Sequence, residues 1–283
     1  LDDTVKSKEK TSTLVVRHIE KWTEDTLKNV LDYKFSNDGN MFVYTTKPKE
    51  KDSVDIPSVS VIELKQYQKK IISAGQKEYS NPAFSEDGLK LTFLATNDST
   101  KKEVKEYGLY YYQVEMDSAR LLVNNTHADM TEKWGVSKNM APSFSKSGKR
   151  LLFGVAPIPL EKDTTIPDFE KAQLDLWHWQ EPETQPMQLV NLSKEQKRTY
   201  LSYIEIENPD KFIQLANETI PDVRISQKSD GRYALGYSRL PYRLTNQWDI
   251  TAGRTYDMWI YDLHTGSRTQ FKTGLCGDFR FSY

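Results

Sequence analysis

The sequence is poor in cysteine, with Cys276 the only one among 283 residues. A lone cysteine excludes an internal disulfide and a cysteine-based metal cluster, and it leaves the redox compartment open. Long apolar runs are also missing, since none approaches the ~20 residues that cross a bilayer as a helix. We therefore expect neither a disulfide-stabilised scaffold nor membrane insertion.

An excess of charge of one sign is absent too. The 39 Lys and Arg residues nearly balance the 40 Asp and Glu residues, so no strong field would draw the chain onto nucleic acid or an anionic membrane. Paired histidines with zinc-ligand spacing are missing. The four histidines are scattered at His18, His127, His178 and His264. The sequence predicts no metal, no cofactor and no nucleic-acid partner.

The signature of a serine nucleophile is likewise missing, because no Gly-x-Ser-x-Gly pentad occurs. Gly236-Tyr-Ser238 begins one, but Leu240 stands where the second glycine belongs. We interpret Ser238 as an ordinary strand serine and predict no catalytic residue in this chain.

Aromatic residues are plentiful, at 12% of the chain, which favours half-buried strands over a helical bundle. A turn motif also recurs. It reads FSNDG at 35–39, FSEDG at 84–88, FSKSG at 144–148 and, stretched, ISQKSDG at 225–231. A glycine at the end of such a turn supplies the positive φ that a narrow hairpin needs. The predicted structural turn residues are Gly39, Gly88, Gly148 and Gly231.

These glycines lie 49, 60 and 83 residues apart, near the ~40 to 50 residues of a four-stranded propeller blade once insertions are allowed. An alternating strand follows each turn, and a second strand and a third, brief one come after it. The sequence therefore predicts an all-β, WD40-like β-propeller of four-stranded blades. A two-sheet sandwich, the alternative, does not predict the same turn at each cycle.

The repeat predicts about four complete blades, with partial blades at both ends. We expect a single domain over 1–283, a fragment of a larger propeller whose uncovered blade faces would promote self-association. The complete blades are predicted at 33–73, 81–123, 141–216 and 223–272, and the partial blades at 13–30 and 279–283.

Three long connections, at 46–57, 97–106 and 157–198, offer places for recognition on a rigid scaffold. The last, which we term the excursion, contains an alternating segment at 174–179 and a helical insertion around 181–198. Its Trp177, His178 and Trp179 could form a binding shelf, or they could anchor the excursion to the blades.

A fourth connection carries arginines among aromatic residues. Arg239, Tyr242, Arg243 and Trp248 are candidate substrate contacts, since arginines can hold carboxylates through two hydrogen bonds. A rim of solvated charges is the alternative interpretation.

The repeated Pro-x-Phe-Ser-x-Asp-Gly pattern resembles the blades of TolB-like and prolyl-oligopeptidase propellers. The run LDLWHW, QPMQLV, KRTYLSYIEI, FIQLANETIPDV and SDGRYALGYSRLPYR, over about 174–263, resembles the N-terminal propeller of secreted prolyl-oligopeptidase-family peptidases of Bacteroides-type bacteria. The resemblance implies a parent serine peptidase, periplasmic or secreted. Its C-terminal α/β-hydrolase domain would carry the Ser, Asp, His triad, and the propeller would gate and select peptide substrates.

Two alternatives remain at this stage. A free-standing TolB-like propeller would be a scaffold that binds protein partners. A propeller enzyme that acts on polysaccharide would hold a metal in its channel.

Overall fold

The computed structural model describes residues 11–19, 22–47, 56–98, 102–161, 165–167, 169–170, 178–248, 255–279 and 281. The chain divides into two compact units, Leu1–His127 with Ala141–Phe144, and Ala128–Met140 with Ser145–Tyr283. Each unit contains two antiparallel sheets in which most neighbouring strands are also neighbours in sequence. The predicted all-β propeller fold class is confirmed, with antiparallel sheets of four and five strands.

The first unit contains a five-stranded sheet, in the order β1-β2-β3-β4-β5, and a four-stranded sheet, in the order β6-β7-β8-β9. The sequence predicts a separate partial blade at 13–30. In the structure β1 and β2 instead join the first sheet, because β2 runs unbroken from Thr23 to Phe35. The strands are β1 (Ser12–His18), β2 (Thr23–Phe35), β3 (Met41–Thr46), β4 (Ser58–Glu63), β5 (Gln68–Ala74), β6 (Glu78–Phe84), β7 (Lys90–Thr96), β8 (Gly108–Gln113) and β9 (Arg120–Val123).

The second unit contains a sheet in the order β10-β12-β13-β14 and a sheet in the order β15-β16-β17-β18. The third sheet begins earlier than the predicted blade at 141–216, since its first strand is β10. The strands are β10 (Trp134–Val136), β12 (Arg150–Pro157), β13 (Tyr200–Glu205), β14 (Asn208–Gln214), β15 (Asp222–Ile225), β16 (Tyr233–Ser238), β17 (Thr255–Asp262) and β18 (Ser267–Cys276). The short β11 (Ser143–Phe144) belongs to the first unit.

Helices are short and few in the described part of the chain. Helix α1 (Gln185–Gln196) lies where the helical insertion is predicted, and α2 (Arg243–Trp248) follows β16. A single 3-10 turn occupies Leu240–Tyr242, whereas Gln227–Ser229 is a non-helical turn in which Lys228 has a φ of +52°. Over the described ranges, no helix combines the length and apolar character needed to cross a membrane.

The cores lie between successive sheets within each unit. Val43, Val59 and Ile72 of the first sheet pack with Leu91 and Phe93 of the second. The alternating pattern of β7 predicts one buried face, but Thr92 and Leu94 on its other face are also fully buried. A central strand covered on both faces has this burial pattern. The second unit has an equivalent core, which contains Leu152, Tyr203, Leu215, Ile220, Ala234 and Tyr261.

The repeated turn is built around a buried serine. Ser36 donates from its hydroxyl to Asp38 Oδ1 at 2.5 Å, and that hydroxyl oxygen accepts the N–H of Met41 at 2.9 Å. Ser85 uses Asp87 and Lys90 in the same way. Gly39 and Gly88 close these turns with φ of +69° and +71°, which glycine adopts without strain. Each of these two turns takes its aspartate from its own repeat, and Asn37 of the first turn also donates to Glu86 of the second at 3.0 Å.

The third turn draws a carboxylate from the next repeat. Ser147 occupies the position of the aspartate, and Asp230 accepts its N–H at 2.8 Å and its hydroxyl at 2.5 Å. Gly148 has the expected positive φ of +67°. The fourth turn differs: the positive φ angles fall on Lys228 and Ser229, and Gly231 donates its N–H to Ser226 at 3.1 Å.

Arg150, at the start of β12, ties the third and fourth turns together. It is 7% exposed, and its guanidinium donates to the carbonyl oxygens of Ser229 at 3.3 Å and Gly231 at 2.6 Å. A third bond, from Nε, reaches Glu205 Oε1 at 2.7 Å. The guanidinium also lies over the ring of Tyr203, 5.5 Å from its centre. The buried charge of Arg150 is tolerated because its guanidinium donates hydrogen bonds to two carbonyl oxygens and to a carboxylate.

Candidate functional site

The connection between β16 and β17 begins where the buried Ser238 ends its strand. Pro241 stands inside the first turn of the 3-10 helix, where its fixed φ is favourable. The N–H of Tyr242 then donates to the carbonyl of Arg239 at 3.0 Å, and α2 follows directly. One short helical connection thus carries Arg239, Tyr242 and Arg243. The sequence predicts that these three residues share a loop.

Tyr242 is fixed by a buried carboxylate. Its hydroxyl donates to Asp257 Oδ1 at 2.6 Å, and the N–H of Gly274 donates to the same oxygen at 3.0 Å. Asp257 is 9% exposed. The hydrogen bond to this carboxylate raises the pKa of Tyr242, because it favours the protonated phenol. Tyr242 therefore anchors the connection to β17 and β18.

Arg243 lies beside the polar side of the excursion. Its Nε is 4.0 Å from Glu183 Oε1. The hydrogen bond from Arg198 lowers the pKa of Glu195, against an opposing effect of burial, and the charge of Arg243 contributes to the lowering. Arg243 thus has acidic neighbours on the excursion and is partly neutralised by them.

Arg239 differs from Arg243 because its side chain is exposed. Within the residues that the structure describes, its guanidinium forms no hydrogen bond and no ion pair. Its positive charge acts on Tyr256, where it opposes the effect of burial, which raises the pKa of that phenol. Among the described residues of this connection, Arg239 is an exposed cation that a ligand can reach.

Three aromatic rings lie next to this connection and were not predicted as site residues. The ring centre of Phe279 is 5.2 Å from that of Tyr237 and 5.6 Å from that of Tyr256. Arg224 lies over Tyr237 and Phe279, 5.6 Å from each centre. The spacing of these residues in the sequence does not predict that they are neighbours. The strand pairing of the fourth sheet brings β15, β16 and β17 together, and residue 279 lies beside them.

The other candidates fall on the excursion or outside the described residues. Trp177, with most of the predicted strand at 174–179, lies outside them, and only the backbone of Trp248 is described, as the end of α2. His178 and Trp179 stack with ring centres 6.1 Å apart, and Trp179 is 84% exposed. No described contact joins this pair to Arg239 or Tyr242.

The predicted recognition loop at 97–106 is fastened by a buried ion pair. Glu78 is 5% exposed, and it accepts a hydrogen bond from Lys105 and another from the Tyr107 hydroxyl at 2.8 Å. Asp98 accepts the N–H of Glu106 at 2.7 Å. These contacts hold the described ends of the loop.

Ser238 has no geometry for nucleophilic catalysis. It is 1% exposed, and its hydroxyl oxygen accepts the N–H of Leu240 at 3.4 Å. Across the described ranges, no three His, Cys, Asp or Glu side chains come together as metal ligands. Two open cavities, of about 500 and 350 Å³, are lined by residues of the first sheet and by residues of β13, β14 and β17, and no candidate residue lines either of them.

No family model and no curated protein matches the sequence. Solved structures are similar in fold at low identity. TolB from Acinetobacter baumannii is 14% identical with a TM-score of 0.38, and the match covers 92% of this chain and 49% of that one. The β-propeller domain of the Trilobed protease from Pyrococcus furiosus is 12% identical with a TM-score of 0.43, over 92% of this chain and 63% of that one.

Porphyromonas gingivalis dipeptidyl peptidase 4 is also similar, at 12% identity and a TM-score of 0.45, over 93% of this chain and 37% of that one. This chain therefore spans between 37% and 63% of the lengths of these three proteins. At such identities the likeness concerns the fold alone, and no residue role is transferred from them.

Proposed function

We propose that this chain is a non-catalytic propeller segment that selects and gates peptide substrates for an α/β-hydrolase domain of the same polypeptide. The proposal places the parent in the periplasm or among secreted proteins, in line with the sequence resemblance over 174–263. The observation that carries it is the exposed Arg239, held on a connection that Tyr242 and Asp257 fix in place. A guanidinium carried on a backbone fixed in this way suits a peptide carboxylate, terminal or side-chain.

The roles of the three candidates differ within this proposal. Arg239 contacts the substrate carboxylate, Tyr242 positions the connection, and Arg243 orients the excursion through Glu183 and Glu195. Arg224, stacked on Tyr237 and Phe279, supplies a second guanidinium on the same sheet. Such contacts bind substrate without taking part in bond cleavage.

The test uses the longer polypeptide that includes the hydrolase domain, assayed on short peptides with a free C-terminal carboxylate and on their C-terminal amides. Arg239→Ala should raise KM for the carboxylate peptides about fivefold or more with kcat nearly unchanged, since it removes binding and not chemistry. Arg120→Ala, an exposed arginine over Tyr111 in the first unit, is the matched control.

Equal loss for the acid and amide peptides, or a loss in kcat alone, would overturn the assignment of Arg239. A coding sequence that continues without a Gly-x-Ser-x-Gly elbow would overturn the peptidase parent and favour a scaffold. The 283-residue chain alone should not react with a fluorophosphonate, and labelling would contradict its non-catalytic role.

A further inference from the structure

The β1–β2 hairpin bends back over the first sheet. Strand β2 turns at Asn29, which has a positive φ of +57°. Ahead of this bend, Asp25 accepts the hydroxyl of Tyr67 at 2.7 Å, and Tyr67 lies in the turn between β4 and β5. The apolar side chains that the hairpin packs against the sheet are Leu14, Val16 and Leu27, and those they meet are Phe42, Tyr44 and Ile62. The hairpin therefore covers the face of the sheet that points away from the second sheet, since side chains alternate between faces along a strand.

A cleft of about 500 Å³ lies between the hairpin and the covered face of the sheet. Residues 26–29 of the hairpin form one wall, and residues of β3, β4 and β5 form the other, together with Ile56. The volume falls within the range of about 300–1,000 Å³ that small-molecule sites occupy. Because apolar contacts and the bond between Asp25 and Tyr67 hold the two walls together, the cleft is preformed, which lowers the cost of binding.

Ser60 lines this cleft with a hydroxyl that the protein does not use. On β4 it stands directly opposite Tyr44 of β3 and Ile71 of β5, and directly opposed residues share one face of a sheet. Ser60 is only 2% exposed, yet across the described ranges its hydroxyl forms no hydrogen bond. A buried hydroxyl ordinarily has a hydrogen-bond partner, so this one favours a ligand with an acceptor atom.

Lys69 brings a positive charge to the same place. Its Nζ lies over the ring of Tyr44, 5.3 Å from the ring centre, and Tyr44 is the cross-strand neighbour of Ser60. In the part of the chain that the structure describes, the Lys69 ammonium forms no hydrogen bond and no ion pair, and neither does that of Lys28 on the opposite wall. The described lining of the cleft includes no Asp or Glu. The local field therefore favours an anion.

We propose that this cleft binds a small organic anion whose charged group is held by Lys69 and Ser60. An ammonium beside a hydroxyl donor matches an oxyanion. The apolar part of the ligand packs on Ile56 and Ile71, which line the cleft and are 62% and 57% exposed. Covering these side chains favours binding in proportion to the apolar area removed from water. The site belongs to the first unit, so it does not rest on the role proposed for Arg239.

Fluorescence titration of the purified chain compares two probes that share one ring system, anilinonaphthalene sulfonate and the uncharged phenylnaphthylamine. Binding to other apolar surfaces is common to both probes and cancels in the comparison. The anion should bind about fivefold or more tightly than its neutral analogue, because only the anion pairs with the ammonium. Lys69→Met keeps the apolar stem and should remove this preference. Lys34→Met is the matched control and should leave both affinities unchanged, since the exposed Lys34 pairs with Val43 on the other face of the sheet.

Competition then identifies the charged group of the ligand. Octanoate and octyl phosphate are titrated against the bound sulfonate probe, with octanol as the uncharged control. Displacement by octanoate alone assigns a carboxylate, displacement by octyl phosphate alone assigns a phosphate ester, and displacement by both supports either oxyanion. Displacement by neither anion, or equally by octanol, would overturn the proposal. So would equal affinities of the unaltered chain for the two probes, or a preference for the anion that survives Lys69→Met.

Discussion

The first and second repeats complete their turn with an aspartate two residues after the serine, whereas the third repeat uses an aspartate 83 residues away. In all three the buried serine hydroxyl accepts the N–H of the residue five positions on. In each of these three turns a carboxylate oxygen accepts the hydroxyl hydrogen of a serine of the turn. The source of that carboxylate can be the same repeat or the next one.

The first residue of the strand after the turn also differs between the first two repeats and the third. Met41 and Lys90 occupy this position in the first two repeats, where the aspartate of the turn comes from the same repeat. The third repeat has Arg150, whose guanidinium reaches the fourth turn. A shared carboxylate and a bridging cation thus occur together, and both can be removed separately.

The largest effect is expected from Arg150→Ala. The change leaves two carbonyl oxygens and Glu205 without their donor, and we expect the free energy of unfolding to fall by about 3 kcal/mol. Urea unfolding followed by fluorescence measures it. Arg232→Ala removes an arginine paired with Asp262 but 50% exposed, so its loss should be much smaller. Equal losses would mean that burial and bridging add nothing.

Removal of the shared carboxylate comes next. Asp230→Ala deletes two hydrogen bonds to a charged group and should cost about 2 kcal/mol. Asp87→Ala, the reference, also deletes two hydrogen bonds, from Ser85 and Leu89. Because Asp87 is exposed and Asp230 is half-buried, its expected loss is smaller.

A transplanted aspartate sharpens the test. Ser147→Asp should destabilise the natural chain, because two carboxylates would share one site. In an Asp230→Ala background the same change should stabilise, since it rebuilds the arrangement of the first two turns. A double-mutant cycle by urea unfolding measures the coupling. The same sign in both backgrounds would refute the shared-site explanation.

The turn glycines are expected to have intermediate effects. A Cβ at Gly39 would meet no atom within 4 Å, so Gly39→Ala should cost only the strain of a positive φ, about 1 kcal/mol. A Cβ at Gly88 would lie 3.1 Å from Asp38 Oδ1 and 3.1 Å from Ser36 Cβ, so Gly88→Ala should cost more. Thermal unfolding of both variants checks this order, and a reversed order would contradict the crowding.

The smallest expected effect is on the pH dependence of the free energy of unfolding at acidic pH. Burial raises the pKa of Asp230, but hydrogen bonds from Ser147 and Ser145 and the charge of Arg150 outweigh it and lower that pKa overall. A carboxylate whose pKa is lowered by folding stabilises the protein above its unfolded pKa of about 3.9, and this stability is lost as pH falls through the folded pKa.

Asp230→Asn should therefore flatten the fall in stability between about pH 5 and pH 2. Asp117→Asn, which removes a fully exposed carboxylate, is the control for the loss of one charge. Urea midpoints at several pH values measure the slopes. An unchanged slope in Asp230→Asn would show that this group does not titrate differently on folding.

The local parts of the fold follow from the sequence. The turn motif predicts an alternating strand after each turn glycine, and β7 (Lys90–Thr96) indeed begins two residues after Gly88, since such a strand depends on neighbours in the chain. The short β10 and the union of β1 and β2 with the first sheet depend on strand pairing, which single-sequence patterns do not encode.

The candidate site shows the same limit. Arg239, Tyr242 and Arg243 are contiguous, so their shared connection is predictable. Asp257, which fixes Tyr242, and the rings of Tyr256 and Phe279 come from other strands, and only the register of the fourth sheet brings them together. The sequence does not predict the role of Asp230 in the third turn for the same reason.

The bond between Ser147 and Asp230 also sets an order of events during synthesis. The first two turns can close as soon as their own residues leave the ribosome. At about 5–20 residues per second, the third must wait roughly 4 to 17 s for Asp230 to be made. During that interval the third turn of the nascent chain lacks the carboxylate of Asp230 that accepts the hydroxyl of Ser147.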